Sequence, residues 1–318
     1  MPTASAILKT RGYDLIGDIH GHADELMSLL EKMGYTNTDG CYRHPIRTAI
    51  FLGDLIDRGP KQKETLHTVM TMVKAGSALA VMGNHEFNAL AYHTGDPAMP
   101  GTWLRKHNER NYEQHEAFLD EYSGAKNKKA LEEVLAFFYS LQLWLDLDGV
   151  RVVHASWHPG HMEAIRKIRG DDANKLTPDM LVGACTEGSE LYNAIEALLK
   201  GIEHPLPDGV IHYDKENTAR TNVRVWAHHN EFKTLRDIIV MPIDLDDEIL
   251  DIPVVEDFVP GYGETDKPVF LGHYWRRGHP VKLRDNVACL DYSVAKDGKL
   301  VAYRWSGETK LEDSNFFF

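Results

Sequence analysis

An α/β fold is what this sequence predicts, and three observations predict it. Short apolar runs of strand length alternate with amphipathic helical stretches through the first third of the chain. Several of those runs end in a glycine followed by polar residues. The 318-residue chain, 43% hydrophobic and 26% charged, has ample material for a large core. Runs too apolar to alternate read as strands covered on both faces, so the sheet is expected to lie between layers of helix.

"YDLIGDIHG", from Tyr13, reads as a strand and turn. In "HADELMSLLEKMGY", Leu26, Leu29, Leu30 and Met33 recur at helical spacing and the helix ends near Gly34. "RTAIFLGD" is a second strand, "KQKETLHTVMTMVKAG" a helix closed by Gly76, and "ALAVMGNHE" a third strand and turn. Residues 98–145 read as a mostly helical insertion, "ALEEVLAFFYSLQLWL" being its clearest helix, and a strand returns in "VRVVHAS". Residues 157–265 hold helix-like "MEAIRKI" and "LYNAIEALLKG", then a Pro/Asp-rich section with an acidic run over 244–257 that reads as solvated surface. This stretch is expected to be a cap inserted into a core made of residues 1–156 and 266–318, because strand-like "KPVFLGHYW" and a hairpin around Asp297-Gly298 follow it.

Composition narrows the function classes. A net charge of −13 argues against affinity won by neutralising nucleic-acid phosphates over a broad surface, and no basic-aromatic surface of a nuclease is visible. Cys41, Cys185 and Cys289 are far apart and none sits in a C-x-x-C, so neither a disulfide framework nor a thiolate zinc site is expected. A reducing cytoplasm is the natural compartment. No apolar leader core opens the chain and no run of about 18 apolar residues occurs, so no membrane association is expected.

The chemistry-bearing residues sit at the ends of five apolar runs. These are "LIGDIHG" with Asp18 and His20, "IFLGDLIDRG" with Asp54, Asp57 and Arg58, "AVMGNHE" with Asn84 and His85, "RVVHAS" with His154, and "VFLGHYW" with His273. Ligands of open α/β sheets gather beyond the carboxyl ends of the strands, so residues far apart in sequence are expected to converge on one spot. Carboxylate, amide oxygen and imidazole without thiolate suit manganese, iron, zinc or magnesium. Six or more such donors could build a two-metal site, its ions about 3.5–4 Å apart, that clamps a phosphoryl group. Each piece alone has an ordinary structural reading; five strand ends in one style do not.

"GDIHG", "GDLIDRG", "GNHE", a strand-borne histidine and a late "GH", in that order, resemble the calcineurin-like metallophosphoesterase superfamily, in particular its phosphoprotein-phosphatase and diadenosine tetraphosphatase branch. The resemblance covers residues 13–95, 150–156 and 268–305 and leaves both insertions uncovered. It implies a β-sandwich flanked by helices, and two divalent ions, manganese first among them. Asp18 and His20 would bind the first ion, Asp54 would bridge both, and Asn84, His154 and His273 would bind the second. His85 would be the general acid, oriented by Asp57, and Arg58 would bind phosphate oxygens. The chain departs from the pattern at "GHYW" where other branches have G-H-x-H, at Met82 where the eukaryotic Ser/Thr phosphatases have arginine, and at His154-Ala155-Ser156 where they carry H-G-G.

Hydrolysis of a phosphoester needs a nucleophile at neutral pH, neutralised phosphoryl charge and a proton for the leaving alkoxide. A metal-bridging hydroxide meets the first need, since one Zn²⁺ already brings bound water from about 15.7 to about 7. Arginine can hold phosphate oxygens bidentately. The cap segment "YDKENTARTNVRVWAHH" offers Lys215, Arg220 and Arg224 as further phosphate-binding cations. His158, His161, His228 and His229 are assigned to structure. The expected activity is hydrolysis of a phosphomonoester or dinucleoside polyphosphate, the partner being a phosphorylated small molecule or nucleotide. A Ser/Thr or Tyr protein phosphatase is the alternative, and a non-catalytic binding protein on the same fold a distant third.

Overall fold

A computed structural model describes residues 12–171, 174–213, 219–226, 228, 232–240, 243–254 and 259–318. The first part alternates as expected: β1 (Tyr13–Ile16), α1 (Ala23–Lys32), the hairpin of β2 (Thr36–Thr38) and β3 (Cys41–Arg43), β4 (Thr48–Phe51), α2 (Gln62–Lys74), β5 (Ala78–Ala80) and α3 (Asn84–Tyr92). Leu26, Leu29 and Leu30 form the buried face of α1, and Leu66, Val69 and Met72 that of α2.

Next come α4 (Glu109–Tyr122), α5 (Lys128–Ser140), β6 (Trp144–Leu147) and β7 (Val150–Val153). The helix expected across "ALEEVLAFFYSLQLWL" therefore stops at Ser140 and its tail is a strand. The backbone there is claimed by other segments: Met82 N–H donates to the Gln142 carbonyl, Leu143 N–H to that of Asn174, and β6 pairs antiparallel with β7. A sheet partner outweighs the local helical pattern.

Three helices follow, α6 (Pro159–Arg169), α7 (Pro178–Cys185) and α8 (Glu190–Lys200), and their buried Met162, Ile165, Leu181, Ile195 and Leu198 belong to the main core. The stretch after them holds β8 (Ile202–Pro205), β9 (His212–Tyr213), β10 (Ala219–Arg220), β11 (Asn222–Val225), α9 (Leu235–Ile238) and α10 (Asp247–Leu250). Val223, Val225, Leu235, Ile238 and Leu250 give that stretch a small core of its own. β12 (Val269–Leu271), β13 (Val287–Cys289), β14 (Asp291–Tyr292), β15 (Lys299–Leu300), β16 (Ala302–Trp305) and β17 (Phe316–Phe317) come last, with β14 and β15 paired around Asp297-Gly298.

The main strands make two sheets rather than one. The first runs β17-β16-β1-β4-β5, with β1, β4 and β5 parallel; the second runs β13-β12-β7-β6. Alternate residues explain the layering. Leu15, Ile50, Val152 and Phe270 meet in one cluster between the sheets, while their neighbours Ile16, Phe51, Val153 and Leu271 join the helix-covered core. Both faces of these strands are thus buried, as their unbroken apolar runs require. Among the described residues, no helix is long and apolar enough to cross a membrane.

Candidate functional site

Five strand ends from the two sheets bring the polar residues together. β1 leads to Asp18 and His20, β4 to Asp54, Asp57 and Arg58, and β5 to Asn84 and His85 in the first turn of α3. From the second sheet, β7 leads to His154 and β12 to His273. His20, Asp54, Asp57, Arg58 and His273 all have positive φ, between 47° and 72°. Backbone strain at five of these residues is the kind that surrounding structure sustains at working sites. Close approach also demands glycine: a Cβ on Gly272 would stand 2.1 Å from Asp18 Oδ1, and one on Gly83 2.3 Å from Asp54 Oδ1.

Asp54 is the hub. His20 Nε2 lies 3.7 Å and His85 Nε2 3.9 Å from its Oδ2, while His154 Nε2 lies 3.4 Å from Oδ1. Two donor groups result, His20–Asp54–His85 and Asp54–His154–His273, each with ligand atoms within 4.8 Å of one another. Asn84 Oδ1 completes the second, 2.8 Å from His273 Nδ1 and 3.2 Å from His154 Nε2.

The tautomers argue for a cation. His20 Nδ1 faces the Ile56 carbonyl at 3.0 Å and His154 Nδ1 the Leu52 carbonyl at 2.7 Å, so each must donate an N–H there. In its neutral form each ring would present a bare Nε2 lone pair to Asp54, acceptor against acceptor. A positive ion between them resolves the conflict, and a backbone carbonyl orienting the remote ring nitrogen is the usual support of a metal-binding histidine. Asp18 Oδ1 is buried with no hydrogen-bond partner among the described residues, while Oδ2 accepts the His273 N–H at 3.0 Å. The chemistry of these donors, carboxylate, imidazole and amide oxygen gathered around Asp54, fits a pair of divalent ions.

Charge at the site follows from burial and crowding. Burial and Asp291 push Asp18 well above the usual carboxylate range. Burial also opposes the charge of Asp54, but His154 and His85 outweigh it and hold Asp54 well below that range. Burial is opposed in the same way at His154, which Asp54 and Asp18 pull up to about 10, whereas burial and His85 press His20 down to about 3.

Beside this cluster His85 Nδ1 donates to Asp57 Oδ2 at 2.5 Å, leaving Nε2 on the cavity wall. Arg58 stacks its guanidinium 4.2 Å from the centre of Trp275. A cavity of about 370 Å³ opens over these residues, its walls completed by Arg110, Tyr213, Arg220 and Arg224. Arg220 and Arg224, remote in sequence, therefore face the same space as Asp54 and His85. Arg224 Nε is buried without a hydrogen-bond partner among the described residues. Lys215 and His229 lie outside the described residues. His158 caps α6 by accepting the His161 N–H, and His228 Nε2 accepts the Trp157 N–H. In the acidic run Asp247 and Asp251 pair with Arg236 at the surface, but Asp244 reaches the cavity wall.

Three participants escaped the sequence reading. Glu86 accepts N–H groups from Asp54, Leu55 and Gly83 at 2.8–2.9 Å, and burial with Asp54 nearby pushes it up to about 7. Its place in "GNHE" was a usable signal. Asp291 accepts N–H groups from Trp275 and Ser293. His115, on α4, donates Nδ1–H to the other oxygen of Asp57 at 2.6 Å, and nothing in its helix marks it.

The calcineurin-like phosphoesterase family model matches residues 13–184. The bis(5'-nucleosyl)-tetraphosphatase PrpE (asymmetrical) of Bacillus subtilis (strain 168) is 34% identical over 166 residues, 52% of this chain and 61% of that protein. The protein of the same name from Bacillus velezensis is 43% identical over 166 residues, 52% of this chain and 60% of its own. The chain thus spans about three fifths of those two relatives. A symmetrical bis(5'-nucleosyl)-tetraphosphatase of Methylobacillus flagellatus is 28% identical over 305 residues, 92% of this chain and 91% of that protein. The matched residues include four of the five strand ends, all but that of His273, and the chain belongs to the calcineurin-like phosphoesterase family.

Proposed function

We propose that this protein is a dinuclear metal-dependent phosphohydrolase acting on a dinucleoside polyphosphate or a related phosphomonoester. The observation that carries the reading is the pair of donor groups sharing Asp54, with His85 and Arg58 on the wall of the same cavity. Asp18, His20 and Asp54 would hold one ion, and Asp54, Asn84, His154 and His273 the other. Manganese suits this oxygen and imidazole set, which has no thiolate. Bound there, the ions supply charge neutralisation of phosphoryl oxygens and acidification of water.

Arg58, steadied by Trp275, offers a planar fork to the phosphoryl oxygens. Asp57 takes the Nδ1–H of His85, so Nε2 is the nitrogen that delivers a proton to the leaving oxygen. Arg220 and Arg224 would hold phosphates further along the substrate. The names of the similar proteins support a dinucleoside polyphosphate as that substrate. Free Cys41, Cys185 and Cys289 are in keeping with a reducing cytoplasm.

The test is hydrolysis by metal-stripped protein with and without Mn²⁺, on p-nitrophenyl phosphate, diadenosine tetraphosphate and a phosphopeptide. We expect Mn²⁺-dependent turnover, fastest on the dinucleotide, and loss of at least about 10³-fold in Asp54→Asn. Preference for the phosphopeptide would replace the substrate assignment with a protein phosphatase. Absence of turnover on all three would sink the enzymatic reading.

A further inference from the structure

Asp57 is gripped from two sides. His85 Nδ1 meets its Oδ2 at 2.5 Å and His115 Nδ1 meets its Oδ1 at 2.6 Å, all three side chains being buried. The Asp57 backbone sits at φ 72°, and its N–H is tied to Gln62 Oε1 at 2.8 Å. Gln62 N–H in turn donates to Glu121, which like His115 lies on α4. The helix that follows α3 thus reaches Asp57 directly through His115 and indirectly through Glu121 and Gln62.

The His115 ring has little freedom of its own. It stacks on Phe118 with centroids 4.7 Å apart and an interplanar angle of 18°, and is tilted against Tyr92 at 5.1 Å. Its Nε2 is buried without a hydrogen-bond partner among the described residues. A ring placed only to satisfy polar groups would not leave one of its nitrogens unsatisfied. What the aromatic seat does secure is the direction of Nδ1–H.

We infer that His115 is a positioning residue for the Asp57–His85 pair, completing a chain of three side chains in which His115 holds Asp57 so that His85 points Nε2 at the leaving oxygen. The inference rests on the phosphohydrolase reading for its consequence but on geometry for its existence. With Oδ1 occupied by His115, the carboxylate cannot rotate, and Oδ2 stays in place for His85 Nδ1–H. Without His115 the carboxylate is free to turn, the imidazole loses its fixed tautomer and direction, and proton delivery suffers. Small misplacements of a reacting group are costly, roughly 10²-fold for about 1 Å.

The experiment uses the full chain loaded with Mn²⁺ and compares His115→Ala, His115→Asn, His85→Asn and the His85→Asn/His115→Ala double variant. Phenyl phosphate, whose leaving group needs the proton, is set against 2,4-dinitrophenyl phosphate, which needs it least. His115→Ala should lower kcat on phenyl phosphate by about 10- to 100-fold with KM changed by less than about twofold, and affect the dinitrophenyl ester much less. His115→Asn, which keeps an N–H near the place of Nδ1, should recover most of the loss. In the His85→Asn background the second substitution should cost nothing more, because His115 acts through His85. In histidine-labelled protein loaded with diamagnetic Zn²⁺ in place of Mn²⁺, the downfield proton magnetic resonance of His85 Nδ1–H should persist in His115→Asn and disappear in His115→Ala.

Equal losses on both esters, additive losses in the double variant, or an unchanged His85 proton in His115→Ala would each overturn the inference. If the wild-type chain hydrolyses neither ester and not diadenosine tetraphosphate either, the phosphohydrolase reading fails, and the His85 proton alone then decides whether His115 holds the pair.

Discussion

Asp54 shows how one residue serves several demands. Its backbone is bent to φ 49°, its N–H is held by Glu86, its Oδ1 accepts the His85 N–H, and its carboxylate still faces three imidazoles. Asp18 is held differently, by the His273 N–H on one oxygen and by the absence of any side chain on Gly272 beside the other. A methyl group there would stand 2.1 Å from Asp18 Oδ1, nearer than any Cβ contact allows. Gly272→Ala should therefore displace the Asp18 carboxylate and weaken Mn²⁺ binding about 10-fold or more, seen in calorimetric titration as a loss at one of two sites. Unchanged affinity at both sites would remove Asp18 from the ligand set. Asp18 was legible because glycine, carboxylate and imidazole recur in the same order at other strand ends; His115 was not, because a lone histidine on a polar helix looks like any surface residue.

Helices and strands place these groups, and their ends carry unused histidines. His93 follows α3 and His158 caps α6; burial, with His115 and His161 nearby respectively, lowers both to about 4. A histidine lowered from its ordinary value near 6.5 stays neutral in the folded protein while the unfolded chain takes up the proton. Its contribution to stability is complete above about pH 6.5 and is lost as pH falls towards 4. Thermal unfolding midpoints should drop across that window, and His93→Phe should make the fall shallower. An equally steep fall in the variant would show that other groups govern it. The elements themselves were read well where a single period ran through them, as in α1 and α2. Leu141–Leu147 is illegible from period alone, because an apolar run serves helix and strand alike and pairing with β7 decides.

Among the described residues, two sheets enclose one apolar cluster, helices build a second on the outer faces, and Leu206, Val223, Val225, Leu235, Ile238 and Leu250 belong to a third, smaller one. That small core carries the wall on which Arg220 and Arg224 face Asp54 and His85. Its independence has a measurable consequence. Leu235→Ala, at a fully buried position, should cost about 2–5 kcal/mol, the range for such truncations. Hydrogen exchange should rise in β8, β11 and α9 while amides of β1 and β4 keep their protection. Exchange raised equally in all of these elements would show a single cooperative unit. Should the local effect hold, the same variant is expected to lose more activity on diadenosine tetraphosphate than on p-nitrophenyl phosphate, since the smaller ester reaches only Arg58.

The sequence by itself determined the alternating strands and helices of the first third, the α/β class, and the six candidate ligands with His85, Asp57 and Arg58. Those are local facts: hydrophobic period, glycine at a tight turn, and donor atoms of the right chemistry lie within a few residues of one another. Only the tertiary structure decided that the candidate ligands come from two sheets facing across one cluster, that Leu141–Leu147 leaves its helix, and that Arg220 and Arg224 share the cavity with Asp54. It also decided that His115 holds Asp57 from a helix 58 residues further on. These are contacts between segments distant in sequence, and their energies depend on which neighbours burial supplies, which no local pattern encodes.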